Sequence, residues 1–208
     1  MDNIKFSGLR ATPELEDFKG KYENQGFIAR KLVESYFGAV KELTIQCGGV
    51  DRPYEIGAGE GLSTLRLKTF CDNLKASEYL PDLVDKAKKI NPDIDFKCES
   101  VYELEDSDNS YDLVYLLEVL EHLDFPLDAL KEIKRVSSRF LILGVPREPL
   151  WRVLNMARGK YLNSLGNTPG HLNHWSSNGI INLVEKNFGK VLKVQTPLPW
   201  TILLAEKY

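Results

Sequence analysis

Cysteine is scarce in this chain. Cys47, Cys71 and Cys98 are an odd number, widely spaced and without a Cys-x-x-Cys pair. A zinc ribbon and a disulfide framework are therefore excluded, and the thiols fall to ordinary burial as small hydrophobes. Long hydrophobic runs are also missing. No window approaches about eighteen apolar residues, and the N-terminal Met-Asp-Asn-Ile-Lys has no apolar leader core. No membrane contact is expected, and a reducing cytoplasm is the expected compartment. Positive charge in excess is lacking too, since the formal net charge is −3. That argues against a protein whose main task is to coat nucleic acid, so a nucleic-acid partner is not expected.

What is present suits one well-buried core: 208 residues, 43% hydrophobic and 27% charged. The charge is uneven along the chain. From Arg147 to Lys193 there are seven basic residues and only two acids, Glu148 and Glu185. The plain reading of that segment is a solvated surface; the alternative is a preference for an anionic substrate.

Periodicity divides the chain into alternating elements. Residues Phe27, Ile28, Leu32, Val33, Tyr36, Phe37, Val40 and Leu43 fall at helical steps and end at Gly48-Gly49. Strands are expected at 53–56, 75–79, 95–98, 111–116 and 140–145, with helices at 62–74, 81–90 and 126–136. Pro81 and Pro126 suit first helical turns. A segment with helical stretches at 150–157 and 178–184 follows, then short β-like runs at 191–194 and 201–206, close enough for a hairpin. Strand–helix alternation predicts an α/β, Rossmann-like doubly wound sheet with helices on both faces. It is mostly parallel and seven-stranded, with a C-terminal antiparallel hairpin. One domain is expected, made of a helical cap (1–50), a cofactor-binding core (51–146), a substrate-covering insert (147–188) and the hairpin (189–208).

The most informative stretch is Tyr54-Glu55-Ile56-Gly57-Ala58-Gly59-Glu60-Gly61, an apolar strand running into three alternate glycines just before a helix. Glycines let such a turn pass close under a ligand, and helix N–H groups favour a negative group there. Ligands of such sheets bind beyond the carboxyl ends of the strands. The turn, Glu78, the Ser100–Val101 region and Leu116–Glu118 all follow strands, so they should line one rim.

In order and spacing, residues 52–146 resemble the class I S-adenosylmethionine-dependent methyltransferases. The resemblance rests on Glu55 to Gly61, on Glu78 to Val84, on Asp108-Asn-Ser-Tyr-Asp-Leu-Val114, and on Leu117-Glu-Val-Leu-Glu-His-Leu123. It implies S-adenosylmethionine as cofactor, with S-adenosylhomocysteine as product. Gly57, Ala58, Gly59 and Gly61 would pass under its methionine portion, with Glu55 near the ammonium. Glu78 would accept from both ribose hydroxyls. Tyr79 and Leu80 would pack on the adenine, Val101 would offer its backbone N–H to the ring, and Leu116 and Leu117 would border the methionine side chain. Ser100 departs from the pattern, which commonly has an acid there; its hydroxyl or neighbouring Glu99 is the substitute.

Methyl transfer depends mostly on alignment, and a base is needed only for a protonated nucleophile. The candidate bases are His122, His171 and His174. Arg147 is a candidate grip for an anionic acceptor. Glu118, Glu121 and His122 stand at i, i+3 and i+4, where a helix would bring them to one face. With His171 or His174 they could meet a divalent metal, in a pattern similar to segments of small-RNA 2′-O-methyltransferases and ubiquinone-pathway O-methyltransferases. A metal is compatible with the sequence but not expected. The leading reading is a monomer or homodimer that methylates oxygen or nitrogen of a small-molecule acceptor. The alternatives are a metal-assisted RNA 2′-O-methyltransferase, a nicotinamide-dependent oxidoreductase and a non-catalytic interaction module. Against the oxidoreductase stand the alternate-glycine spacing and the terminal hairpin.

Overall fold

Period-two alternation along the central strands decides which helices cover which face of the sheet. In β4 (Tyr111–Leu117), Leu113, Tyr115 and Leu117 point to one side, while Val114 and Leu116 point to the other. The computed structural model describes residues 26–208. On the first side, α1 (Phe27–Gln46) contributes Tyr36, Phe37, Val40 and Leu43, and α2 (Leu62–Leu67) contributes Leu67. On the second side lie α4 (Pro126–Val136) and α6 (Ser177–Asn187). Their Ala129, Leu130, Ile133, Ile180 and Val184 pack against β4, β5 (Ser137–Pro146) and β7 (Trp200–Lys207). Strands covered on both faces read as unbroken apolar runs, as Phe140 to Val145 does.

The remaining elements are β1 (Pro53–Ile56), β2 (Lys75–Glu78), α3 (Pro81–Ile90), β3 (Asp95–Cys98), α5 (Leu150–Ala157) and β6 (Gly189–Gln195). Sheet order is β3-β2-β1-β4-β5-β7-β6. Strands β1 to β5 are parallel, and β7 runs antiparallel to both β5 and β6. The chain starts in the middle, builds outward through β2 and β3, then returns to β4. The crevice where order reverses therefore lies between the ends of β1 and β4. This is the seven-stranded, mostly parallel sheet with a terminal antiparallel pair that the sequence predicts.

Local signals account for the helix ends. Pro occupies the first turn of α3 and α4, with Asp82 and Asp128 nearby and lysines or arginine in the last turns, as the helix dipole favours. Ser176 caps α6 by accepting from the Gly179 N–H at 3.2 Å.

Several boundaries differ from expectation. The helix expected over 62–74 stops at Leu67, because the Thr69 hydroxyl donates to the Arg66 carbonyl and the next N–H groups bond three residues back. Strand β5 begins at Ser137 rather than Phe140. Pairing of Ser137 with Tyr111 and of Phe140 with Glu206 recruits polar residues of low strand propensity. The two terminal strands are longer than expected for the same reason. Of the cap expected over 1–50, residues 1–25 lie outside the described part. No helix among the described residues is long and apolar enough to cross a membrane.

Candidate functional site

The glycine turn leaves β1 in a conformation that side chains resist. Gly57 has φ +76°, and a Cβ there would stand 2.5 Å from Val119 Cγ2, on the segment after β4. Gly61 has φ +83°, and its Cβ would meet Asn91 Nδ2 at 2.7 Å and the Ala87 backbone at 3.0 Å. Both positions are thus fixed by strain and by space. The turn is anchored to β2: the Gly57 and Ala58 N–H groups donate to the Ser77 carbonyl at 2.9 and 3.0 Å.

Glu78, at the end of β2, closes back on this turn. Its Oε2 accepts from the Gly59 N–H at 2.9 Å, and its Oε1 accepts from Tyr79 and Leu80 at 2.7 and 3.1 Å. Three backbone donors hold the carboxylate in one rotamer at the rim. Tyr79 beside it is 54% exposed.

Glu55 is 1% exposed, and its Oε2 accepts from the Thr64 hydroxyl at 2.5 Å. Burial pushes its carboxyl up to about 7, while the Ser63 and Thr64 hydroxyls hold it down against that rise. The site therefore carries an acid poised to ionise near neutrality when a cation approaches.

On the β3 side, Ser100 Oγ accepts from the Tyr102 N–H at 3.3 Å, and Val101 is buried in the core. Glu99 accepts from the Tyr54 hydroxyl and from the Glu105 N–H, the latter at 3.0 Å. Both substitutes for the missing acid keep acceptor positions, about two on the Glu99 carboxylate and one on Ser100 Oγ. Leu117 ends β4 at the rim, but Leu116 is wholly enclosed in the core beneath α4 and α6.

Past β4 the chain turns sharply. Glu118 has φ +59°, a left-handed conformation that costs a non-glycine residue roughly 1–2 kcal/mol. Its Oε2 accepts from the Trp200 indole N–H at 2.8 Å. Trp200 begins β7 opposite Pro146, and β7 is antiparallel, so its first residue lies on the rim where the parallel strands end. From there rings follow one another in contact. Trp200 meets Tyr36 edge-on at 4.9 Å and Trp151 at 5.9 Å; Trp151 stacks on His171 at 5.9 Å; His171 meets His122 edge-on at 4.9 Å.

His122 Nδ1 lies 3.1 Å from the Gly170 carbonyl. A carbonyl only accepts, so Nδ1 carries the hydrogen and the neutral ring's lone pair is on Nε2. Glu121 is buried beside it, and the Glu121 carbonyl accepts from the Leu172 and Asn173 N–H groups at 2.9 and 3.0 Å. The insert is thereby pinned to the turn after β4.

Glu118, Glu121 and His122 are not brought together as a helical face would bring them, because residues 120–122 form a single 3₁₀ turn. Ligand atoms of Glu121, His122 and His171 lie within 4.8 Å of one another. Glu118 is turned towards Trp200. His174 is exposed and bonds Asn167 Oδ1 at 2.6 Å. Arg147 is held through its backbone by Pro199 and makes no ion pair among the described residues.

Trp200, Tyr36 and Trp151 are not among the site residues expected from the sequence. The hairpin itself held the signal for Trp200, since the first residue of an antiparallel last strand must reach the ligand rim. No local signal marks Tyr36.

Comparison with known proteins agrees with this arrangement. Residues 54–139 match the model of the family described as a methyltransferase domain. An uncharacterized methyltransferase of Schizosaccharomyces pombe is 33% identical over 102 residues, which are 42% of this chain and 36% of that protein. The matched part is thus little more than a third of that relative. Among solved structures, the magnesium protoporphyrin IX methyltransferase of Synechocystis PCC 6803, with bound S-adenosylhomocysteine, superposes with a TM-score of 0.66 at 17% identity. The alignment covers 88% of this chain and 89% of that one. The PH0226 protein of Pyrococcus horikoshii reaches 0.70 at 13% identity, covering 92% and 97%.

Proposed function

We propose that the chain is a class I S-adenosylmethionine-dependent methyltransferase, an active enzyme transferring a methyl group to oxygen or nitrogen of a small-molecule acceptor; the matched methyltransferase domain and the shared fold support this reading. The observation that carries this reading is the closure of Glu78 on the Gly59 N–H at the point where strand order reverses. A carboxylate has about four acceptor positions, and three are taken by backbone N–H groups. Ribose hydroxyls take the remaining one and displace the Gly59 N–H, which turns to the ligand instead.

The residues present fit the methyl donor at each end. Gly57 and Gly61 make a floor that a Cβ would fill. Buried Glu55 gains its charge from a nearby ammonium, Tyr79 and Leu80 flank the adenine, and the Ser100 hydroxyl and Val101 N–H reach its polar edge. Leu117 borders the methionine chain, whereas enclosed Leu116 supports it from below. The donor supplies an electrophilic methyl on a good leaving group. The protein must then align the acceptor and, for a hydroxyl or ammonium acceptor, remove a proton. The wall from Tyr36 through Trp200, Trp151 and His171 to His122 excludes water on the acceptor side. The described cap and insert form one domain with the core.

Calorimetric titration of the purified protein with S-adenosylhomocysteine tests the reading. Micromolar binding at one site is expected, lost in Glu78→Ala. No binding at millimolar concentration would refute it. Methylation of RNA with a steep salt dependence would redirect the acceptor class without touching the donor site.

A further inference from the structure

We propose that Glu121, His122 and His171 form a site for a divalent first-row transition cation at the acceptor side of the cleft. The three ligand atoms stand within 4.8 Å of one another, two on the turn after β4 and one on the insert. Glu121 Oε1 and His122 Nε2 are 4.0 Å apart. That is too long for a hydrogen bond. It is wider than the roughly 3.0–3.5 Å between adjacent donors on one cation with bonds of about 2.0–2.2 Å, so a bound cation would draw the two side chains together by a fraction of an ångström.

The surrounding structure holds the ligands as a metal site requires. His122 donates Nδ1–H to the Gly170 carbonyl, which fixes its tautomer and aims the Nε2 lone pair at Glu121. His171 is confined between Trp151 and the edge of His122. The Leu172 and Asn173 N–H groups clamp the insert to the Glu121 carbonyl, so the two halves of the site move together. All three residues are buried or nearly so, and a carboxylate between two imidazoles removed from water gains most from a shared cation.

Two imidazoles and one carboxylate select manganese, iron, cobalt or zinc over magnesium and calcium, which prefer oxygen. Three protein ligands leave coordination positions open. This role rests on the methyltransferase reading: a cation there would bind an acceptor oxygen and lower its pKa, so that a hydroxyl reaches the methyl donor as an alkoxide or phenolate. The bond formed is carbon–oxygen, the bond broken is carbon–sulfur, and the acceptor proton passes to solvent when the oxygen binds the metal. The acceptor class is then a hydroxyl compound with a second oxygen able to chelate.

The test is titration of tag-free protein with cobalt(II) chloride, followed by visible absorption, without donor or acceptor. One equivalent should develop a d–d band, with half-saturation below about 100 µM. Glu121→Gln and His171→Ala should weaken binding by 100-fold or more, and His174→Ala should leave it unchanged. S-adenosylhomocysteine affinity within twofold of the parent identifies folded variants. Absence of a band at 1 mM cobalt, or a band indifferent to Glu121→Gln and His171→Ala, would overturn the site. Displacement of cobalt by equimolar magnesium would also overturn it. Failure of the methyltransferase reading is separate: it would appear as lost S-adenosylhomocysteine binding with the cobalt band intact.

Discussion

The two sides of the cleft are assembled over different lengths of chain. On the donor side the decisive contacts are short: Thr64 reaches Glu55 across 9 residues and Gly59 reaches Glu78 across 19. On the acceptor side His122 meets Gly170 across 48 residues and Trp200 meets Glu118 across 82. One side is a supersecondary unit, built wherever a strand, glycine turn and neighbouring strand come together. The other exists only once the insert and the last strand have docked. On the proposed function, selectivity for an acceptor can therefore change without disturbing the cofactor cradle.

The sharpest way to break that contrast is Glu78→Ala. Losing charge-assisted hydrogen bonds worth about 1.5–3 kcal/mol each should weaken S-adenosylhomocysteine at least ~100-fold in calorimetry. An unchanged affinity would mean the donor does not lie on this carboxylate. Next comes Gly57→Ala, where left-handed backbone and contact with Val119 together should cost about 2–4 kcal/mol in denaturant unfolding. Adding Val119→Ala should recover the contact part alone. Recovery of everything would remove backbone strain from the account.

Glu55 offers a pH test. Its folded-state value of about 7 lies above the ordinary 4.5, so the unliganded protein holds that proton more tightly than the unfolded chain. Stability from this group is then full below about pH 4.5 and is lost as pH rises towards 7. Donor binding runs the other way, because an ammonium needs the carboxylate charged. S-adenosylhomocysteine affinity should fall up to about tenfold per unit as pH drops below 7 and level off above it. Glu55→Gln should flatten both profiles.

A smaller effect belongs to the far side. Trp200→Phe removes one hydrogen bond to Glu118, so kcat should drop about tenfold, consistent with ~1–2 kcal/mol. S-adenosylhomocysteine affinity should stay within twofold. A parallel loss of donor affinity would show the two sides coupled.

Legibility followed the same divide. The strands 53–56 and 95–98 and the helices 81–90 and 126–136 are readable from the sequence within a residue, since proline, dipole charges and apolar periods act locally. The helix from Leu62 was overextended because one side-chain hydroxyl competes with its backbone ladder at Thr69. On the acceptor side, helical spacing suggested Glu118, Glu121 and His122 on one face. The chain instead turns left-handed at Glu118 and makes only a 3₁₀ turn afterwards. No propensity rule anticipates this, because Trp200 lies far along the sequence. His171 and His174 are equivalent by spacing, yet only His171 is buried against Trp151.

By itself the sequence determined the parallel core, the reversal of strand order implied by it, and the glycine turn with its acid, because backbone sterics and side-chain period are properties of neighbours. The tertiary structure decided which histidine faces which acid, where Trp200 points, and which residues wall the acceptor space. Those are contacts between segments that only the closed sheet and the docked insert bring within reach.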